Sequence, residues 1–213
     1  MTTKSDSKVS TKKRGRPAKG GLGFDDTREA LIRCGMELLT EQGFNSTGLD
    51  QILKKVNVPK GSFYHYFENK EAYGYVVLEE YSQFFIHKLK KHLLNEELPA
   101  LERLKAFVDD AIKGVERYDF KRGCLVGNLT LELGSSHEQF REKLNKAFNN
   151  WKSLIADCLE LAKTEGTLAK TADCDELADF FWISWEGAVM RAKLTQDKLP
   201  MELFSQQFFK LLP

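Results

Sequence analysis

Val58-Pro59-Lys60-Gly61-Ser62-Phe63-Tyr64-His65-Tyr66-Phe67, followed by Asn69-Lys70-Glu71, decides the fold. Asn57-Val58-Pro59 reads as a turn, since proline fixes its own φ and restrains the residue before it. Phe63 and Phe67 stand four residues apart, which predicts a short helix over 60–67 with its apolar edge anchored in a core. Ser62, His65 and Tyr66 share the opposite face and can exchange hydrogen bonds with base edges or phosphates. Upstream, Leu49, Ile52, Leu53 and Val56 predict a second short helix opening near Thr47. Leu31, Cys34, Gly35, Leu38 and Leu39 predict another over 26–42, with Gly43 as its C-cap. Two short helices joined by a tight turn read DNA when the second offers polar side chains to the major groove. Lys60 then lies at the start of the reading helix, within reach of a base or a phosphate. Lys70 is placed for the DNA backbone, and the Thr47 hydroxyl sits where a helix N-terminus favours phosphate. An ordinary three-helix packing unit with surface aromatics would show the same periodicity.

Outward from this stretch the pattern stays helical, and the predicted fold class is all-α. Asn69 is placed to cap a long helix from Lys70 to about Leu94. Further helices are predicted from Pro99 to near Tyr118 and from Cys124 to about Leu133. Another opens at a Ser135/Glu138 capping box and runs to about Glu165. The last two run from Asp173 to about Thr195 and from Pro200 onward. Residues 1–23 read as a disordered basic tail, 24–70 as the DNA-binding head and 71–213 as a regulatory and dimerisation body.

Charge supports that division. Residues 1–70 carry 13 Lys/Arg against 8 Asp/Glu, and residues 71–213 carry 19 against 23, although the whole chain is only +1. A basic head on an acidic body suggests that the head alone meets a polyanion. Apolar runs are too short to span a membrane, and no secretory signal opens the chain, so a cytoplasmic protein is expected. Cysteines at 34, 124, 158 and 174 form no C-x-x-C pair and the four histidines are scattered. Neither a metal nor any other cofactor is therefore expected, and the thiols should be reduced. In the tail, Arg14-Gly15-Arg16-Pro17 suits the narrow minor groove of A·T-rich DNA, with Arg14 and Arg16 as the inserted side chains. The alternative is a solubilising tail.

The body holds no motif for catalysis. The 174–195 helix is apolar on more than one face, so it is expected to be buried on two sides and, with the last helix, to form the four-helix bundle of a homodimer. A monomeric core is the alternative. Cys124 follows Lys121-Arg122-Gly123 and should start a helix, a setting of cations and helix N-terminus that favours thiolate. Cys34 and Cys158 read as core. Tyr118, Phe148, Trp151, Trp182 and Trp185 are candidates for lining an apolar ligand pocket, or else plain aromatic core.

The run from Ala30-Leu31 through Lys60–Phe67 to Lys70-Glu71 resembles the DNA-binding domain of the TetR family over about 50 residues. The resemblance implies a dimeric repressor that binds a palindromic double-stranded operator and is released by an inducer. It also implies that Tyr64, Tyr66 and Lys70 touch phosphates while Lys60, Ser62 and His65 lie near bases. Arg122-Gly123-Cys124-Leu125, Leu131-Glu132-Leu133, Gly187-Ala188 and Ala192-Lys193 resemble an electrophile-sensing branch of the same family. That likeness implies that Cys124 reacts with chlorine species, quinones or unsaturated aldehydes, with Lys193 near it. The competing classes are the same repressor induced by a non-covalent apolar ligand, an enzyme using Glu132 or His137 as a base, and an A·T-preferring architectural protein. A discrete footprint on one palindrome separates a specific repressor from an architectural binder.

Overall fold

The computed structural model describes residues 24–213 as α1 (Phe24–Gln42), α2 (Leu49–Val56), α3 (Lys60–Phe63), α4 (Lys70–Leu93), α5 (Ala100–Arg117), α6 (Leu125–Leu133), α7 (Glu138–Glu165), α8 (Cys174–Thr195) and α9 (Leu199–Leu211). The tail arginines Arg14 and Arg16 lie outside the described residues. Among the described residues there is no strand, and no helix is long and apolar enough to cross a membrane. The all-α expectation therefore holds.

Local chemistry explains most boundaries. Asp25 and Asp26 complement the positive end of α1. The helix stops at Gly43, whose φ of +86° suits a residue without Cβ and whose N–H donates to Leu39 O at 3.0 Å. Asn57, at φ 57°, caps α2, and Asn69 Oδ1 accepts the Ala72 N–H at 2.8 Å to open α4. Asp173 Oδ1 accepts the N–H groups of both Asp175 and Glu176 at the start of α8.

Two elements differ from their predicted extents. The reading helix is regular only over Lys60–Phe63; beyond it the chain tightens into turns, with His65 N–H bonded to Ser62 O and Tyr66 N–H to Phe63 O. The aromatic anchors account for this. Phe63 and Phe67 are both buried and both pack on Tyr73 of α4, at ring separations of 5.3 and 4.9 Å, so the chain winds more tightly to bury both rings. Helix α7 begins at Glu138, with His137 before it and no capping side chain, so Ser135 does not form the predicted capping box. Ser136 and His137 both donate their N–H to Leu133 O, which extends the end of α6 through the residues that would have formed the box.

The core is continuous from head to body. Helix α4 packs on α1 on one side and on α5 and α7 on the other, and α8 packs on α7 and α9. Tyr73 ties head to α4: its ring is buried, and its hydroxyl donates to Leu31 O at 2.7 Å. Tyr73→Phe removes one buried hydrogen bond and almost no volume. It should lower stability by about 1 kcal/mol in a denaturant melt, and an unchanged midpoint would show that the bond contributes nothing.

Candidate nucleic-acid interface and the cavity behind it

The exposed surface of the α2–α3 unit is polar and aromatic. Phe63 and Phe67 face inward, which leaves Tyr64 (51% exposed), Lys60 and His65 outward, with Ser62 and Tyr66 half-buried. Lys60 makes only a long contact of 4.0 Å to exposed Asp50, so its ammonium remains available to a polyanion.

Two side chains expected at phosphates are bonded within the head. Thr47 does not open α2, which starts at Leu49 behind Gly48; it is fully buried and its hydroxyl donates to Gly43 O at 2.7 Å. Lys70 turns inward: its Nζ donates to Phe44 O at 2.6 Å and lies 4.4 Å from the centre of the Phe44 ring. Burial holds its pKa below the ordinary lysine value. Both side chains stabilise the loop between α1 and α2. The Thr47 hydroxyl proton and one of the three Lys70 donors are used there, which sequence spacing does not reveal.

The C-terminal end of α1 is held from below by the body. Helix α1 carries no basic residue in its last turn, so its terminal carbonyls and their partial negative charge are satisfied from elsewhere. Lys193 of α8 donates to Thr40 O and Glu41 O at 3.2 and 3.0 Å. Asn128 of α6 donates to Thr40 O at 2.9 Å. Arg122 pairs with Glu37 and, at 2.8 Å, with Glu41. Just beyond the helix, the Glu132 carboxylate accepts the N–H groups of Phe44 and Asn45 at 3.0 and 2.7 Å. Glu132 is thus a strut between body and head, and the general-base role considered for it has no reacting partner in this geometry.

Immediately behind this joint is a cavity of about 630 Å³. It lies among α1, α4, α5, α8 and the 118–124 loop. Met36, Tyr81, Phe85, Tyr118, Cys124 and Trp185 are among its walls, with Arg33, Lys88, Arg117 and Arg122 as its cations. Of the five aromatic candidates, Tyr118 and Trp185 line it. Tyr118 stacks on the Arg122 guanidinium 4.0 Å from its ring centre. Trp151 and Trp182 are core instead, with ring centres 5.3 Å apart, and Phe148 packs edge-on against Trp151.

Cys124 stands at the cavity wall as the N-cap of α6, its Sγ accepting the Gly127 N–H at 3.4 Å. The helix-start expectation holds, but the electrostatic one does not. Cys124 is only 8% exposed, and burial, then the Glu186 carboxylate, push its pKa well above the ordinary thiol value. The neighbouring cations are committed elsewhere, Arg122 to α1 carboxylates and Lys193 to α1 carbonyls. Lys193 does pass beside the cysteine loop, its Cδ 3.6 Å from where a Cβ on Gly123 would stand, but its ammonium is not paired with the thiol. Glu186 escaped the sequence reading. Its signal was a lone acid within the apolar run Phe180–Met190. Cys34 and Cys158 are core as expected, bonded to Ile52 O and Ala100 O. Among the described residues, no three His, Cys, Asp or Glu side chains gather to hold a metal ion.

A second surface is apolar and faces outward. Phe180, Ile183, Met190 and Leu194 of α8, with Leu199, Leu203 and Leu211 of α9, are exposed, Ile183 at 74% and Leu194 at 72%. Such a patch on two adjacent helices marks an interaction surface. Within it, Ser184, Gly187 and Ala188 line a shallow groove, while Ala192 is buried on the inner side.

Glu132→Ala should leave the Phe44 and Asn45 amides without their acceptor. It should cost roughly 1–3 kcal/mol, read as a lowered melting temperature. An unaltered melt would mean that the joint does not depend on this carboxylate.

Comparison with known proteins agrees with this architecture. Residues 31–72 match the model for bacterial regulatory proteins of the tetR family, and residues 100–208 match the tetracyclin repressor-like C-terminal domain. The chain is 42% identical over 196 residues to the transcriptional regulator AcuR of Cereibacter sphaeroides, covering 92% of this chain and 89% of that protein. It is 30% identical over 177 residues to the transcriptional repressor NemR of Escherichia coli, covering 83% and 89%. Among solved structures, a TetR regulatory protein from Rhodobacter sphaeroides superposes with a TM-score of 0.85 at 42% identity, over 88% of this chain and 99% of that one. The reduced form of E. coli NemR superposes with a TM-score of 0.79 at 29% identity, over 88% and 98%. These relatives are regulators rather than enzymes. With a helix-turn-helix head, a matched regulatory body and relatives of this identity over nearly its whole length, the chain belongs to the TetR family of DNA-binding transcriptional regulators.

Proposed function

We propose that this regulator is a repressor that sits on a palindromic operator as a homodimer and is released when Cys124 is oxidised or alkylated. One observation carries the reading: Cys124 lines a cavity directly behind the joint that holds α1. Arg122 lies two residues before it, and Asn128 lies one turn after it on α6. Lys193 passes beside Gly123, and all three hold the end of α1. Bulk added to the sulfur projects into the cavity and presses on its walls, where α1, α8 and the 121–124 loop meet. The holds on α1 then shift together, and the head with them. Half-sites are read about one DNA turn apart, so a small rotation of each head prevents the two reading units from docking at once.

The exposed apolar face of α8 and α9 supports the dimer, since two copies burying it form a four-helix bundle. On DNA, Lys60, Ser62 and His65 face bases while Tyr64 and Tyr66 face phosphates, with the tail arginines Arg14 and Arg16 adding minor-groove affinity. The inward turn of Lys70 leaves it as a support for the α1–α2 loop. The protein acts in the cytoplasm, where operator and thiol-reactive metabolites meet. A second reading is non-covalent induction. The cavity's volume lies within the range of about 300–1,000 Å³ usual for small-molecule sites, and Tyr118 and Trp185 give it aromatic walls.

Tyr64→Ala should weaken operator binding to a similar degree on all sequences and leave the slope of log affinity against log salt nearly unchanged, because a neutral phenol releases no counterion from the DNA. His65→Ala should change base preference instead. Indistinguishable base preferences for both variants would remove this assignment. For the sensor, wild type and Cys124→Ser are treated with a quinone or hypochlorite on operator DNA. Wild type should dissociate and Cys124→Ser should stay bound. Equal release from both would eliminate Cys124 and leave the non-covalent cavity ligand as the inducer.

A further inference from the structure

Cys124 is a buried thiol, and the cations near it are committed to α1. A protonated thiol is a poor nucleophile, because the thiolate is the attacking species. A reacting Cys124 therefore needs a group that removes its proton inside the protein. The surroundings of the sulfur contain one candidate. Glu186, on the inward side of α8, projects over Gly127 at the start of α6. Its Oε2 lies 2.3 Å from where a Cβ on residue 127 would stand, and that same position is 3.6 Å from Cys124 Cβ. A side chain at 127 would displace the carboxylate from this position. The other oxygen, Oε1, is buried and has no hydrogen-bond partner. A buried unpaired carboxylate oxygen is expensive, and native structures keep few of them.

We propose that Glu186 is the proton carrier for Cys124, and that the pair is built for addition to an α,β-unsaturated carbonyl. This rests on Cys124 being the reacting residue. The Glu186 carboxylate takes the proton from Sγ as the sulfur pair forms a bond to the β-carbon. The carbon–carbon π pair moves onto the carbonyl to give an enolate. The proton then passes from Glu186 to the α-carbon, which regenerates the carboxylate. Thiol and alkene combine into one thioether, and no oxidant or reductant is consumed.

The surroundings suit the two charge states. A thiolate at Cys124 is the N-cap of α6, where the Gly127 N–H already points at the sulfur and the helix dipole favours negative charge. When Glu186 is ionised it opposes a second negative charge on the sulfur; when it holds the proton, that opposition vanishes. Burial raises the Glu186 pKa to about 7, so near neutrality the carboxyl exchanges its proton while the thiol still holds its own. The other titratable group on the pair is Tyr81 of α4, whose hydroxyl reaches the same sulfur and the Leu125 backbone, and whose pKa burial holds far above 10. Tyr81 therefore stays neutral. Arg122 and Lys193, the nearby cations, are bonded to α1.

The test is the rate at which methyl vinyl ketone, a small neutral unsaturated ketone, alkylates Cys124 in the full-length protein. It is followed by mass spectrometry from pH 5.5 to 9.5. Wild type should show a rate that rises through a midpoint near 7 and then levels off. Below it, both groups hold their protons and no base is available. Glu186→Gln should react about a hundredfold more slowly at pH 7.5, the usual scale for a positioned general base, with its remaining rate climbing only in the alkaline range. Glu186→Asp should recover part of the rate. Operator binding by each variant confirms that it is folded. A Glu186→Gln protein that is alkylated as fast as wild type, or faster, would overturn the proposal, the latter making Glu186 only an electrostatic brake. A wild-type profile without an inflection between pH 6 and 8 would overturn it independently of any variant. Absence of a Cys124 adduct at every pH is a different result: it removes the covalent reading of the sensor itself.

Discussion

The negative end of α1 is the constraint on which the molecule turns. A helix leaves its last carbonyls without partners, and α1 supplies no cation of its own to meet them. The body supplies them instead, from three separate places: Arg122 in the loop before α6, Asn128 on α6 and Lys193 on α8. Glu132 then fixes the two amides that follow the helix. The DNA-reading head is thereby not a free module on a tether. Its position is a function of how α6 and α8 sit. Individually these partly exposed contacts are weak. Their importance is geometric, because they share one target and report on one another.

The proposed sensor role of Cys124 rests on that arrangement. The residue caps α6 and faces the cavity, within a few positions of Arg122 and Asn128 and beside the loop that Lys193 passes. A change at the sulfur does not need a long chain of coupled residues to reach the head, since the intervening elements are the loop and the first turn of α6. The cavity itself is bounded by α1 of the head on one side and by α8 on the other. A ligand held without a covalent bond would press on the same two elements, so both modes of induction would use one lever.

The apolar outer face of α8 and α9 and the inward face of α8 divide one helix between two tasks. Ile183, Met190 and Leu194 are turned outward, while Trp182, Trp185, Glu186 and Val189 look toward the core and the cavity. In the proposed dimer the outer face would be covered, which would fix the helix that carries Glu186 and Lys193 and give the two heads a common reference.

Much of this was legible in the sequence because it depends on local rules. Helix boundaries followed from Gly43, Asn57, Asn69 and Asp173, each acting within a few residues. The all-α class and the reading unit followed from apolar spacing and from the aromatic anchors Phe63 and Phe67. Cys124 was found at a helix start for the same reason. What the sequence could not decide was which partner each polar group would choose. Thr47 and Lys70 had the right chemistry for phosphate, yet folding brings them to Gly43 O and Phe44 O first. Lys121-Arg122 suggested a cationic setting for the thiol, but Glu37 and Glu41 lie closer to Arg122 in space, and the group set against the sulfur is Glu186. Electrostatic environment is a property of three-dimensional proximity and of exclusion from water. Neighbours along the chain determine capping and periodicity; only the packed helices determine charge.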